Sequence, residues 1–274
     1  GGGGDSSTPT TPAPTVNLSA EPTSVLLGDT STLTWSSTNA SSCSANWTSA
    51  TATSGSEAVT ISTAGNNSFS ITCSGAGGDR SASTTIEGYR NFKGITADGY
   101  ISNASIFIDE NTNYTLDDSE ARTTSNNGGA FGNLKYQNGV LISYGGTDLD
   151  TQISLDDLLM THSLSGYTES KVITPVTSIA SFMSSPSDIN SVLGIVDSID
   201  ISITDPVANK GSSGAYDYYY EKGSQLTILA YALQNISNNM NSSTDKTEDY
   251  FKAISEELEK AYAISSSRVD IEDN

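Results

Sequence analysis

The sequence predicts a multidomain chain whose N-terminal half is mainly β and whose C-terminal region is α-helical. At 274 residues the chain is long enough for two or three domains, each with its own core. Its first half consists of short runs of alternating apolar and polar residues, divided by Gly, Ser and Asn turns. After Ser170, prolines that suit helix starts and apolar residues at helical spacing replace this pattern, which indicates helices.

Composition and charge narrow the class of protein. The chain carries 32 acidic and 12 basic residues, a formal charge of -20 that repels nucleic-acid phosphates and anionic membranes. Nucleic acid is therefore not expected as a partner. Abundant Ser, Thr, Asn and Gly with few aliphatic residues are typical of secreted β-rich surface proteins, so we expect an extracellular location. No run of 18 or more apolar residues occurs, and no transmembrane span is predicted.

Residues 1–15, GGGGDSSTPTTPAPT, predict a flexible tether that passes into a stiffer Pro-containing spacer. The stretch resembles the start of a bacterial lipoprotein just after the lipidated cysteine. This resemblance implies a lipid anchor at the N-terminus and a place on the outer cell surface. The anchoring cysteine is absent from the sequence, and a scar left by an expression vector is the alternative origin of the glycines.

Residues 16–88 predict the first β domain. The runs SVLLG, STLTWSS, EAVTIST, NSFSITCSG and SASTTIE have the length and spacing of strands in an all-β sandwich. Leu33 and Trp35 fall on one face of their strand, and Phe69 and Ile71 do the same on another. Two inner faces that pack together would bury all four side chains.

Cys43 and Cys73 are the two cysteines of the chain, and both lie in this domain. In an extracellular β domain of this size we expect them to form one disulfide, which would stabilise it by about 3 to 4 kcal/mol through loop closure. A metal-binding or nucleophilic role is disfavoured because the sole histidine, His162, lies far along the chain.

The stretch PTVNLSAEPTSVLLGDTSTLTWSSTNASSCSANW, with GNNSFSITCSGAGG after it, resembles the immunoglobulin-like modules that follow the lipid anchor in many bacterial surface proteins. Such modules serve as spacers or contact carbohydrate and protein. The spacing differs from that of antibody domains, where the tryptophan lies between the two cysteines, because Trp35 precedes both cysteines here. The resemblance therefore implies a sandwich and not the antibody topology.

Residues 89–152 predict a second β module. Six of the 32 acidic residues lie before Gly88 and 26 after it, and this shift in composition indicates a domain boundary. The run YISNASIFID places Ala104, Ile106 and Ile108 on one strand face, and further strands follow through VLISYGG.

An acidic loop, DENTNYTLDDSE, interrupts the second module at residues 109–120. In a twelve-residue calcium loop, oxygen ligands come from positions 1, 3, 5, 7, 9 and 12, and Gly at position 6 permits a sharp turn. The residues at the ligand positions are Asp109, Asn111, Asn113, Thr115, Asp117 and Glu120. Tyr114 occupies position 6, so we expect Ca2+ to bind with reduced affinity. A solvated hairpin loop is the alternative interpretation.

The longer stretch DGYISNASIFIDENTNYTLDDSEARTTSNNGGAFGNL resembles B-type repeat domains of bacterial adhesins and the related transthyretin-like, carboxypeptidase-regulatory-like modules. The resemblance implies a small β-sandwich, stiffened by calcium in some members, with a mechanical or adhesive role and no catalysis. Metal binding carries over only to the six loop residues named above. The lysine and asparagine of the internal isopeptide bond in some relatives cannot be assigned, so no such bond is predicted.

Residues 153–274 predict a helical region that packs on the second module. Thr174-Pro175, Ser185-Pro186 and Asp205-Pro206 each place an N-cap residue before a proline suited to the first helical position. The cluster AYDYYYE predicts a ligand patch, because exposed aromatic rings stack on sugars and anchor protein partners. Its members are Tyr216, Tyr218, Tyr219 and Tyr220, and packing of alternate tyrosines in the core is the competing interpretation.

A single histidine disfavours most Ser-His-Asp, Cys-His and multi-histidine metal mechanisms, and His162 is expected at a surface or half-buried position. The leading hypothesis is a non-catalytic extracellular surface protein, adhesive or structural, stiffened by calcium. Its partners would be a protein or glycan at the cell surface, or copies of itself in a filament built by strand addition. The alternative is a polysaccharide-active enzyme or its carbohydrate-binding accessory module.

Overall fold

A computed structural model describes residues 11–164, 166–241 and 246–265 of the chain. The chain divides into two compact units, residues 1–90 and 91–274. The predicted fold class is confirmed, because strands dominate the N-terminal part and long helices lie near the C-terminus. Most of the predicted tether, residues 1–10, lies outside the described residues.

The first unit is a sandwich of two sheets. One sheet has the strand order β1-β3-β5 and the other has the order β2-β7-β6-β4. The strands are β1 (Thr15–Glu21), β2 (Ser24–Leu26), β3 (Thr30–Thr38), β4 (Ser42–Ser44), β5 (Ser54–Thr60), β6 (Gly65–Gly75) and β7 (Gly78–Tyr89).

The inner faces of the two sheets bury three of the four residues that the alternation predicts, and the fourth, Phe69, is half-buried. Leu33 and Trp35 of β3 are almost fully buried, and so is Ile71 of β6. The predicted disulfide between Cys43 and Cys73 is confirmed. The two cysteines lie directly opposite each other on the antiparallel neighbours β4 and β6, so the bond links strands within one sheet.

The second unit contains two main sheets and a two-stranded ribbon. Their strand orders are β11-β10-β13-β15, β12-β8-β16 and β14-β9. The strands are β8 (Asn91–Thr96), β9 (Ile101–Ser102), β10 (Ser105–Asp109), β11 (Arg122–Thr124), β12 (Ala130–Lys135), β13 (Val140–Tyr144), β14 (Thr147–Asp148), β15 (Leu159–Ser163) and β16 (Ser170–Ile173).

The helices of the second unit begin where the sequence predicts them. Helical turns start at Pro175, Pro186 and Pro206, and Thr174 forms a capping box with Thr177 at the first of these starts. The α-helices are α1 (Pro175–Phe182), α2 (Ile189–Leu193), α3 (Pro206–Asn209), α4 (Gly214–Asn241) and α5 (Thr247–Ser265), and a 3-10 turn spans Pro186–Asp188. None of the helices described combines the length and apolar content that crossing a bilayer requires.

The helical region predicted for residues 153–274 begins instead with two strands, β15 and β16. Residues 159–162 of β15 are all buried, so the sequence lacks the alternation that marks a half-exposed strand. One hydrophobic core joins strands and helices, with Ile106 and Ile108 from β10, Val176 from α1 and Leu226 from α4.

Helix α1 covers the free edge of strand β15. The amide of Thr161 donates to Ser178 Oγ and the amide of Ser163 donates to Ser181 Oγ, each at 2.9 Å. Thr177 Oγ1 donates in turn to the Thr161 carbonyl at 2.9 Å. These hydroxyls satisfy backbone groups that a further strand would otherwise bind.

Candidate functional site

The acidic loop of residues 109–120 connects β10 to β11 and lies against the outer face of their sheet. Tyr114 and Leu116 pack against the cluster formed by Phe107, Ile142 and Leu159, one from each of three neighbouring strands. The four ligand-position residues between the two ends of the loop stay exposed or half-buried. Apolar residues at alternate positions thus fix the loop to the sheet, a feature that the ligand pattern alone did not reveal.

Asp109 organises the first half of the loop. Its side chain is fully buried. Oδ1 accepts hydrogen bonds from the amides of Asn111, Thr112 and Asn113 at 3.2, 2.7 and 3.3 Å, and Oδ2 accepts one from Tyr114 at 2.7 Å. A carboxylate offers about four lone-pair positions shared by two oxygens, so Oδ2 retains one for a further partner.

Glu120 closes the loop from its far end. It is 6% exposed, and its two oxygens accept one amide each, from Glu110 and from Asp117, both at 3.0 Å. Each carboxylate oxygen therefore keeps a lone pair, as a bidentate ligand at position 12 requires.

Asp117 gathers the remaining side chains above the loop. Its Oδ2 accepts hydrogen bonds from Asn111 Nδ2 at 2.8 Å and from Asn113 Nδ2 at 3.0 Å. The side-chain oxygens of the same two residues cap backbone amides, because Asn111 Oδ1 binds the amide of Asn113 and Asn113 Oδ1 binds the amide of Thr115. If the side-chain amide of Asn111 or Asn113 rotated by half a turn, its oxygen would take the place of its nitrogen beside Asp117.

The backbone of the loop is left-handed at the position where calcium loops have a glycine. Tyr114, at position 6, has φ 57°, and Thr112 has φ 60°. Such values are uncommon for residues with a Cβ and unfavourable for bulky side chains. The contact of the Tyr114 ring with Phe182 of α1, whose ring centroid is 5.8 Å away, offsets this cost.

The ligand chemistry fits Ca2+, since carboxylate and amide oxygens predominate among the six residues at the ligand positions. The geometry is not that of a closed site. Within the described part of the chain, no three Asp, Glu, His or Cys side chains converge as a metal site requires. Asp109 and Glu120 hold backbone amides at the base of the loop, while Asp117 lies with Asn111 and Asn113.

The predicted tyrosine patch is wrong for Tyr219, which is 1% exposed and belongs to the core of the second unit. Tyr216 and Tyr218 are partly buried against the same core, and the Tyr218 hydroxyl donates to the Leu193 carbonyl at 2.8 Å. Lys210 Nζ lies 4.1 Å from the ring centroid of Tyr220, which is half-buried. Helical spacing turns successive tyrosines of α4 in different directions, so the four rings do not form one exposed surface.

His162 is buried rather than at the expected surface or half-buried position, with 6% of its area exposed on β15. Nδ1 lies 2.7 Å from the Val172 carbonyl oxygen. Burial lowers the pKa of His162 to about 4, with Lys171 acting in the same direction. The imidazole is therefore neutral at physiological pH, and a backbone carbonyl replaces the carboxylate of a catalytic triad.

Glu248, near the start of α5, is a buried carboxyl group whose role the sequence did not reveal. Its Oε2 is buried without a hydrogen-bond partner, and Oε1 lies 3.8 Å from Lys246 Nζ. Burial raises the pKa of Glu248 to about 7, opposed by Lys246. Its charge also raises the pKa of Tyr114, although burial of the phenol is the larger cause.

Comparison with known proteins gives limited information. The chain matches no family model and no curated protein. Among solved structures, two of BcpA, the major pilin subunit of Bacillus cereus, align with 58% of this chain and 68% of their own, at 7% and 8% identity and a TM-score of 0.24. The Bacillus anthracis TIE protein aligns with 57% of this chain and 39% of its own, at 10% identity and a TM-score of 0.21. These scores are too low to establish a common fold, so function is argued from the residues of the chain itself.

Proposed function

We propose that the chain is a non-catalytic extracellular surface protein whose second unit is stiffened by calcium at residues 109–120. The observation that carries this proposal is the left-handed backbone at Tyr114. The residue types at the six ligand positions do not by themselves impose this turn. Tyr114, the residue at position 6, disfavours it. The backbone nevertheless curls as ligands from alternate positions of one segment require.

Two further features support the extracellular and non-catalytic parts of the proposal. The Cys43–Cys73 disulfide is stable in an oxidising compartment and is rarely formed in the cytosol. The sole histidine is buried and neutral. Its Nδ1 lies against a backbone carbonyl and not against the carboxylate that would make it a strong general base.

Calcium binding would draw Asp117 toward the base of the loop, where Asp109 and Glu120 each keep a free lone pair. Rotation of the Asn111 and Asn113 amides would supply two neutral oxygens. With three charged ligands and the strained turn at Tyr114, we expect an affinity in the range of extracellular calcium modules, with Kd of about 0.1 to 1 mM.

The test is a calorimetric Ca2+ titration of the full chain, paired with thermal melting in calcium and in chelator. We expect one site, a higher melting temperature in calcium, and loss of both effects in Asp117→Asn. Asp79→Asn, an equivalent change at an exposed position of the first unit, serves as the control. Absence of binding heat and of any shift in melting temperature would make residues 109–120 an ordinary acidic turn.

We also propose self-assembly by strand addition at β5, with a second copy of the chain as the partner. β5 is a seven-residue edge strand, and within the described residues its ladder partner is β3 alone. A strand paired on one side presents unpaired amides and carbonyls on the other, which is the template that strand addition uses. Light scattering over a concentration series should show growing particles, and Ala58→Lys should abolish the growth. A monomer at every concentration would exclude assembly.

A further inference from the structure

A cavity of about 580 Å³ lies in the second unit, and none of its described lining residues belongs to the acidic loop. Its wall is formed by the end of β15, one face of α1 and the segment 186–202. The volume is within the range of about 300 to 1,000 Å³ that is typical of small-molecule sites. The buried side chains of Ile189 and Ile199 contribute to its apolar wall.

His162 contributes a hydrogen-bond acceptor to this cavity. A carbonyl oxygen can only accept, so the 2.7 Å contact with the Val172 carbonyl places the ring hydrogen on Nδ1. In the neutral ring Nε2 then carries a lone pair. A backbone contact on one nitrogen therefore determines the chemistry that the other offers to a ligand.

Two carboxylates, Asp197 and Asp200, add negative charge to the lining. Asp200 is held in place because its Oδ1 accepts hydrogen bonds from the amide of Ser202 at 2.9 Å and from its hydroxyl at 2.6 Å. Burial lowers the pKa of the neighbouring Lys171, and the charge of Asp200 acts in the opposite direction. None of the described residues that line the cavity is Lys or Arg, so its charged side chains at neutral pH are these two carboxylates.

Hydroxyl groups complete the polar surface. They come from α1, from the end of β15, from the 3-10 turn and from the segment that follows it, and the residues are Ser163, Thr177, Ser181, Ser187 and Ser202. No Phe, Tyr or Trp is among the described lining residues, so hydrogen bonds rather than stacking on a large ring would hold a ligand. A lining rich in acceptors and negative charge, with a few apolar contacts, fits a small ligand that has several donors and a positive charge.

We propose that the cavity binds an amino sugar, with its ammonium group directed to Asp197 and Asp200 and its hydroxyl groups to His162 Nε2 and the hydroxyls of Ser163 and Ser187. This proposal names a ligand class for the surface protein proposed above, but it requires neither calcium nor assembly. A sugar of this class could be free or belong to a polysaccharide with free amino groups.

The test compares three sugars of similar size and different charge. Glucosamine, glucose and glucuronate are titrated into the full chain in mildly acidic buffer and followed by ligand-observed NMR, with calcium and with chelator. We expect glucosamine to bind more tightly than glucose, and glucuronate to bind least, in both conditions. Equal binding of all three, tighter binding of glucuronate, or no binding of glucosamine would overturn the proposal. If glucose binds as tightly as glucosamine, the cavity is a site for neutral sugars.

Variants locate the binding site. Asp197→Asn should weaken glucosamine about two- to fivefold and leave glucose unchanged, the effect expected for one exposed charge. Asp79→Asn in the first unit removes the same charge far along the chain and should change neither. Because Asp197 and Asp79 are both exposed, neither variant should alter the melting temperature. If the two variants bind glucosamine equally well, the ammonium group is not recognised at this cavity. Loss of calcium binding with glucosamine binding retained would refute the proposed calcium site alone.

Discussion

The rings of Tyr114 and Phe182 pack with their centroids 5.8 Å apart and planes tilted by 40°, and this contact connects the acidic loop to helix α1. Phe182 ends the helix whose hydroxyls cover the edge of β15. The position of the loop therefore depends on a helix that lies more than sixty residues later in the sequence.

The contact predicts that Phe182→Ala destabilises the second unit by about 1 to 2 kcal/mol, less than for a fully buried ring because Phe182 is half-buried. Urea unfolding with fluorescence detection measures the change. Ile228→Ala, at a position 69% exposed on α4, is the matched control and should change the stability by no more than about 0.5 kcal/mol. Equal effects of the two substitutions would show that the ring contact contributes nothing.

Backbone strain at Tyr114 can be separated from ring packing by two substitutions that both remove the ring. Gly adopts φ 57° without steric cost and Ala does not, so Tyr114→Gly should be more stable than Tyr114→Ala by about 1 kcal/mol. At an ordinary helical or extended position the order is reversed, because Gly loses more conformational entropy on folding. Denaturant midpoints of the two variants decide between these outcomes.

Removal of the disulfide should affect the first unit. The bond closes a loop with a sequence separation of 30, and its loss in Cys43→Ala/Cys73→Ala should cost about 3 to 4 kcal/mol. Calorimetry should show a lower melting temperature for the unfolding transition of residues 1–90. The transition of residues 91–274 serves as the internal reference, and a shift there instead would contradict this assignment.

Glu248 predicts a loss of stability as pH rises. Its folded pKa, about 7, lies above its ordinary value of 4.5, so the folded protein holds a proton that the unfolded chain releases. The contribution of Glu248 to the free energy of unfolding is complete below pH 4.5 and is lost as the pH rises to about 7. Glu248→Gln should therefore be more stable than the parent by about 1 to 3 kcal/mol at pH 8, and equal to it near pH 4. Glu256→Gln, exposed on the same helix, should change neither value.

His162 predicts the opposite pH dependence, a loss of stability as the pH falls. Its folded pKa, about 4, lies below the ordinary 6.5, so stability is complete above pH 6.5 and decreases as pH falls toward 4. His162→Asn keeps a donor for the Val172 carbonyl and removes the titration. Its stability should decline less between pH 6.5 and pH 4 than that of the parent. Melting temperatures across this range measure the slope, and parallel curves would show that His162 does not titrate as described.

Local patterns in the sequence predicted the parts of the fold that local chemistry determines. Alternation identified Ile106 and Ile108 as core residues of β10, and the Thr174-Pro175 pair located the start of α1. Strand β15 was missed because it is buried on both faces and has no alternation.

The candidate sites show the same division. The ligand spacing of residues 109–120 is visible in the sequence, but the packing of Tyr114 and Leu116 on the sheet depends on contacts with distant strands. The cavity beside His162 cannot be read from the sequence at all, because its wall combines a strand, a helix and a later segment. The sequence leaves open whether Tyr219 lies in an exposed patch or in the core, because the tyrosine run alone does not show which side of α4 faces the core.

The hydroxyl groups of α1 on the edge of β15 have a consequence for the misfolding of this protein. Amyloid growth requires an open strand edge on which identical segments can stack with every amide and carbonyl paired. At β15 the amides of Thr161 and Ser163 are already bound by serine side chains of a helix, which cannot propagate such a stack. Fibril seeding at this strand therefore first requires α1 to detach, so the helix protects a mostly buried strand from templated aggregation.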